Sequence, residues 1–456
     1  MGSRKTLRDV YGPGTFVDLE YTPLVAECKR LLEYFARVSP GFTPDQAELD
    51  AVDFHGHELP IIPGPLKAQA MSAVYHAMIG IVGKEICAMK GVETGKISID
   101  VDKSGLYPAT PALVFIEGKG IAEIQKDRTL FKVGKDLDKG VLNKNSMHFR
   151  SWAIYPTKDP QIWYQVMGNL DPPGFLTAYG LDPNAAASSR DEAYALIRTE
   201  MSKYSAAELE QKNMEHESGK QELRELIEEA DVIIQAFRLR SLERKGFGLE
   251  DILNMANKRR KGIVYVDLNC YGPDGYYAER PGFQQIADAA SGCSYVCGKA
   301  YGFEEGTAVL PSLPIADMLS GAVGVIGTML ALRSRAQQGG SYHATVALTA
   351  IDAVQLEEEV GLYSPEIVQK IQDAYQFGKM TPDLHVEELL YVLGDAWGKR
   401  SDVLSRDGYM VNFSKTAWGK DHSILSPIVQ YENGAATPRW SHGPVPYCSE
   451  ENTVWT

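Results

Sequence analysis

A chain of 456 residues is long enough for two or three domains with substantial cores. Its 44% apolar and 23% charged content is that of an ordinary globular protein. The net charge of −14 argues against sequence-independent nucleic-acid binding and against attraction to anionic membrane surfaces.

Six cysteines (Cys28, Cys87, Cys270, Cys293, Cys297 and Cys448) are scattered without a CxxC pair, which suits a reducing compartment. No unbroken apolar run approaches the ~20 residues that cross a bilayer. Met1–Thr6 fits the loose myristoylation pattern, whose chance matches are common, and a cytoplasmic protein is the expectation.

In chain order, residues 1–55 read as an N-terminal helical segment. Leu24, Cys28, Leu31, Leu32 and Phe35 share one helical face there. A Pro-rich entry, LPIIPGP, leads into an apolar helix from Lys67 to about Lys90. Ser151–Gly168 carries two aromatic, β-branched runs around a Pro-Thr-Lys-Asp-Pro turn and reads as a hairpin. Helical patterns follow at Asp191–Met201 and Ala206–Glu215.

The texture then changes. A helical stripe (Leu223, Leu226, Ile227, Ala230), the strand VIIQAF, the helix LEDILNMAN after Gly248 and the strand GIVYVDLN alternate. That spacing predicts a parallel sheet with helices on its faces. Ligands bind such sheets beyond the carboxyl ends of the strands. A second Pro-rich entry into a small-residue helix near residue 320 echoes the one near residue 70 and points to an internal duplication.

The sheet rule singles out two loops. The first carries Arg238, Arg240, Arg244 and Lys245 within eight residues of an acidic chain. Guanidinium forks there suit phosphates; a solvated turn pairing with Glu243 and Glu250 is the plain alternative. The second, CYGPDGYYAERPGF, has Gly272, Gly275 and Gly282 for close backbone approach. Its Tyr271, Tyr276 and Tyr277 could stack on a flat group or simply pack.

Beyond it, a helix starting near Gln284 puts Asp288 one turn on, on the same face. Asp288 is either an acid–base group facing what Gln284 faces or a structural partner. Asp317 reads as an N-terminal helix charge, and Cys293 and Cys297 as packing residues. HGHE at His55–Glu58 has no complementary pair at zinc spacing.

The stretch from ADVIIQAFRLRSLERKGFG through GIVYVDLNCYGPDGYYAERPGFQQIADAASG to LPSLPIADMLSG resembles class III CoA-transferases, the group of formyl-CoA transferase and α-methylacyl-CoA racemase. The hairpin near residue 160 looks like that family's small domain. The arrangement is similar to a fungal type in which two units are joined in tandem.

The resemblance implies a CoA nucleotide site at Phe237, Arg238, Arg240 and Arg244, and a pantetheine and acyl channel along Tyr271, Gly272 and Gly275. It implies acyl-CoA or a related acid as substrate, no metal, and a homodimer or an intrachain pseudo-dimer.

Three departures stand out. The family's catalytic carboxylate falls on Gln284, and an amide cannot attack a thioester. No histidine lies between His216 and His343 to serve racemase chemistry. The opening strand–helix that should precede ADVIIQAF is absent.

The expected fold is α/β, with a Rossmann-like parallel sheet, helices on both faces, in the second half. Long central helices and a small α+β domain with the hairpin form the first half. The spans are 1–55, a first partial unit at 56–216, a second unit at 217–350 that binds CoA, and a segment at 351–456 that packs back on the core. The expected function is acyl-CoA processing, by CoA transfer or by isomerase, epimerase or lyase chemistry. The alternative is a catalytically degenerate binding or scaffold protein.

Overall fold

Residues 5–127, 129–130, 145–167, 172–182, 184–214, 217–259, 261–416 and 419–445 are described by the computed structural model of the chain. Two units divide it. One comprises Met1–Lys126, Ala230–Lys415 and Lys420–Gly443, and the other Asp127–Glu229, Thr416–Gly419 and Pro444–Thr456.

The β-branched runs of the second half form a three-stranded parallel sheet in the first unit. Val264–Asn269 lies in the middle, with Val232–Gln235 and Tyr342–Ala347 on its two sides. The register places Val232, Val264 and Tyr342 in one row. Val264 and Val266 bury one face of the sheet against Ala331 of the Ile315–Gln338 helix. The Leu249–Lys258 helix lies towards the other face, where Asp251 adds its charge to the field at buried Tyr265. Helices on both faces of a parallel sheet are what the alternating pattern predicts.

Ile315–Gln338 runs on through Gly321, Gly324 and Gly327 without a break. It is 24 residues long and contains an 18-residue window of mean hydropathy 1.8, so by length and composition it is long and apolar enough to cross a bilayer. That corrects the expectation that no such stretch exists. Its packing accounts for the composition, since small residues let it lie close to both the sheet and a second long helix, Ala68–Met89.

The two long helices are joined by an Arg333–Glu85 ion pair. Each feeds a strand and then a short helix. Ala68–Met89 leads to Ile97–Asp100 and Val101–Leu106, and Ile315–Gln338 leads to Tyr342–Ala347 and Leu348–Gln355. The echo in the sequence is therefore also an echo of helix–strand–helix order.

Around this centre, Leu24–Val38 buries Leu24, Cys28, Leu31, Leu32 and Phe35. Each buried leucine contributes about 1.5–3 kcal/mol. The first 55 residues also contain strands. Thr6–Arg8 pairs antiparallel with Phe16–Asp18 around a Gly-Pro-Gly turn, and Val52–His55 runs parallel to Ile97–Asp100. The far end of the chain returns to this sheet, with Val429–Tyr431 antiparallel to Ile97–Asp100.

In the second unit Trp152–Pro156 and Trp163–Met167 form the expected antiparallel hairpin. Tyr155 and Val166 turn inward onto a core with Phe175, Leu176, Tyr179, Ile197 and Met201. The helices Arg190–Met201 and Ala206–Met214 sit at the expected positions, and Glu215, the last residue expected in the second of them, lies outside the described residues.

Candidate functional site

The two loops expected to hold a ligand leave the carboxyl ends of adjacent parallel strands. One follows Val232–Gln235 and the other follows Val264–Asn269. Arg240 in the first reaches Glu279 in the second, Nη1 to Oε1 3.1 Å, so the loops are tied across their tips. That partner is neither Glu243 nor Glu250. Arg240 also takes a φ of +63°, a left-handed conformation that costs a non-glycine residue energy. Arg238 and Arg244 have no carboxylate partner among the described residues, so their guanidinium groups remain available to an anion. Phe237 is 60% exposed, and its backbone N–H donates to Gln235 Oε1 at 2.9 Å.

In the second loop Gly272 and Gly275 have φ of +92° and +89°, with open space where a side chain would stand. The turn requires glycine, and the same absence of side chains leaves backbone free to face a ligand. Gly272 N–H donates to Asn269 Oδ1, which locks the turn to the end of the strand. Tyr271, Tyr276 and Tyr277 form one aromatic group, with Arg280 stacked 5.0 Å from Tyr276 and 4.8 Å from Tyr277. A flat surface topped by a guanidinium can take a planar, anionic or aromatic group.

The bend Pro281–Gly282 starts the helix Gln284–Ser291, which ends at Gly292 with φ of +95°. As the spacing predicts, Gln284 and Asp288 share a face, and Gln284 Nε2 donates to Asp288 Oδ2. Neither reaches solvent, at 3% and 0% exposure.

Behind them stands a residue the sequence reading did not single out, Asp352 of the Leu348–Gln355 helix, itself 0% exposed. The two carboxyl groups interact directly. Ser291 Oγ approaches Asp352 Oδ2 at 3.5 Å, and Cys293 Sγ lies 3.5 Å from the Asp352 carbonyl. Burial raises the pKa of Asp288, and the charge and hydrogen bond of Asp352 raise it further. Burial raises that of Asp352 as well.

Two like charges this close in low dielectric do not both ionise, so the pair holds a proton at neutral pH. Among the described residues neither Asp288 Oδ1 nor Asp352 Oδ1 has a hydrogen-bond partner. One signal for Asp352 was present: it is the single charge in the otherwise uncharged run Ala347–Leu356.

Other residues raised by the sequence fall elsewhere. Cys293 and Cys297 are buried, and burial pushes both thiols up, away from reactivity. His57 Nδ1 pairs with Asp102 Oδ2 at 2.8 Å while His55 Nε2 meets Ser98 Oγ at 2.9 Å, so HGHE does not converge. Among the described residues no three His, Cys, Asp or Glu groups come together to hold a metal ion.

Comparison with known proteins matches residues 211–380 to the family described as CoA-transferase family III. That span contains both loops, Gln284, Asp288 and Asp352. An acyl-CoA transferase of Gibberella moniliformis is 38% identical over 568 residues, covering 99% of this chain and 99% of that one. Because 568 exceeds 456 by 112, the relative has residues at 112 or more positions where this chain has none.

Other relatives are matched over a smaller part. Acetyl-coenzyme A transferase nodX of Hypoxylon pulicicidum is 40% identical over 32% of this chain and 24% of its own length. The succinyl-CoA–L-malate CoA-transferase beta subunit of Chloroflexus aurantiacus is 38% identical over 30% and 32%. The chain thus spans about a quarter to a third of the length of these two relatives. Among solved structures, Rv3272 from M. tuberculosis matches at 25% identity and a TM-score of 0.27, over 31% of this chain and 38% of that one.

Proposed function

We propose, from the premise that this chain belongs to CoA-transferase family III, that it processes an acyl-CoA without forming an acyl-enzyme on the family's usual carboxylate. Gln284 stands at that position, and its amide is too weak a nucleophile to attack a thioester. What it can do is donate hydrogen bonds. One Nε2–H is taken by Asp288, which fixes the amide plane, and the second remains to polarise a thioester carbonyl as charge develops on its oxygen.

The observation that carries this reading is the Gln284–Asp288–Asp352 cluster itself. It is a held donor backed by a carboxyl pair that stores a proton. Asp288, being fully buried, acts through Gln284: it holds the amide in place, and the proton kept by the carboxyl pair prevents two negative charges from standing behind the donor. Arg238, Arg240 and Arg244 would hold the CoA phosphates with Phe237 beside the nucleotide. Tyr271, Gly272 and Gly275 would line the pantetheine arm. Arg238 and Arg244, which lack carboxylate partners among the described residues, and the open positions at Gly272 and Gly275 support that placement.

The reaction is CoA transfer through another carboxylate, or isomerase, epimerase or lyase chemistry on the acyl group. The paired long helices support a pseudo-dimer formed within one chain. The 112 or more positions skipped relative to the fungal relative accord with a missing opening strand and helix.

A second reading is favoured by one observation: Gln284 and Asp288 are 3% and 0% exposed. A protein with a closed site could bind a CoA ester or scaffold a partner without turnover.

Titration with CoA and a panel of acyl-CoAs, with turnover assays of wild type, Asp288→Asn and Gln284→Asp, separates the two. Binding with turnover that Asp288→Asn lowers by roughly 10²-fold or more supports the enzyme. Binding without turnover supports the second reading. Absence of CoA binding at millimolar ligand ends both acyl-CoA readings. Transferase activity appearing in Gln284→Asp identifies a cradle that is intact except for its nucleophile.

A further inference from the structure

A cavity of about 500 Å³ opens beside the Ala68–Met89 helix, in the size range of small-molecule sites. Its walls are apolar, with Ile79, Leu113, Val114, Met329, Ile424 and Val429 among them. Most polar side chains that reach it are already committed. Thr110 Oγ1 donates to the Tyr107 carbonyl at 2.9 Å, Ser426 Oγ to Gly408 at 2.6 Å, Tyr431 to Gly80 at 2.9 Å and Trp440 Nε1 to Leu425 at 2.9 Å.

Two atoms are left over. His76 is 8% exposed, and its Nδ1 lies 2.8 Å from the Ser72 carbonyl. A carbonyl only accepts, so Nδ1 carries the hydrogen and Nε2 presents a bare lone pair. Burial lowers the His76 pKa to about 4, so the ring is neutral at pH 7. Tyr107 stands edge-on to it, with ring centroids 4.6 Å apart. The Tyr107 hydroxyl has no hydrogen-bond partner among the described residues. It lies 3.5 Å from the point where a side chain on Gly321 would begin, an ordinary contact distance.

We infer that this cavity binds a lipophilic molecule carrying one hydroxyl group, which donates to His76 Nε2 and accepts from the Tyr107 hydroxyl. A pure hydrocarbon would leave both protein atoms unpaired in an apolar space, which is costly. A carboxylate would be stripped of water and set against the His76 lone pair. An alcohol satisfies both atoms with a single group. The site stands apart from the loops assigned to CoA and does not depend on that assignment.

Calorimetric titration of the full chain with naphthol, naphthalene and naphthoate tests this. Naphthol should bind, with naphthalene roughly tenfold weaker and naphthoate weaker than naphthol. His76→Phe should bring naphthol down to the naphthalene affinity and leave naphthalene within about twofold. Val114→Trp, which fills the cavity, should abolish binding of all three.

If His76→Phe does not fold, Tyr107→Phe removes only a hydroxyl and tests the same discrimination. No binding by naphthol, equal affinities for naphthol and naphthalene, an unchanged ratio in the ring variants, or binding that survives Val114→Trp would each overturn the assignment.

Discussion

Two buried acid clusters lie in the same unit and solve the same electrostatic problem in opposite ways. In the first, Asp18 and Glu27 meet Lys67, whose side chain is 1% exposed, and Arg30 adds a second cation on Glu27. Lys67 Nζ lies 2.5 Å from Glu27 Oε1 and donates to the Val360 carbonyl at 2.9 Å. Burial alone would raise the pKa of Glu27, but Arg30 and Lys67 reverse this and hold it at about 2.

In the second cluster, Asp288 and Asp352 have no cation among the described residues and are raised instead. A carboxylate pair neutralised by cations is a structural joint. One neutralised by a proton is a group whose charge can change, which is the property a reaction can use.

The comparison breaks most sharply at Lys67. Lys67→Met leaves two buried carboxylates short of their cation and should destabilise the protein by about 3–5 kcal/mol, read by urea unfolding. The same variant at Asp288 and Asp352 has no counterpart, because no cation is there to remove.

Next in size is the pH dependence, whose sign differs between the clusters. Glu27 falls from the usual value near 4.3 to about 2, so its ~3 kcal/mol is present above the unfolded value and is lost as pH falls through the folded one. Asp288 and Asp352 are raised, so their share is complete below the unfolded carboxylate pKa and is lost as pH rises through the folded values. Unfolding midpoints measured from pH 2 to 9 should drop at both ends. Asp288→Asn should flatten only the alkaline side, and a wild-type profile with no alkaline fall would remove the shared proton.

A smaller effect is expected one turn along from Asp352. Gln355 is 0% exposed, and among the described residues neither its Nε2 nor its Oε1 has a partner. Gln355→Leu should therefore stabilise the protein by about 1–2 kcal/mol, since the first cluster's complete pairing is what this region lacks. The smallest effect belongs to the exposed Arg240–Glu279 pair. Arg240→Ala should shift stability by less than about 0.5 kcal/mol while weakening CoA binding, a split that a purely structural pair would not produce.

The site was legible in the sequence where its logic is local. The Gln284 and Asp288 spacing, the clustered arginines and the glycine turns all follow from residues a few positions apart, and each appears where the pattern puts it. For Arg240 the alternative to phosphate binding was pairing with Glu243 and Glu250. Arg240 found Glu279, because adjacent parallel strands bring the tips of two loops together. Ile315–Gln338 runs unbroken through three glycines because packing on both sides overrides their helix penalty.

By itself, then, the sequence determined the alternation of strands and helices, the repeated long helix, and the placing of Gln284 and Asp288 on one helical face. These are written in periodicity and residue type, which short-range sterics and burial translate directly into structure. Only the tertiary structure decided that Asp352 backs Asp288 and that His76 and Tyr107 share an apolar cavity. Such meetings join segments tens of residues apart, and their proton and hydrogen-bond states depend on the low dielectric that packing creates.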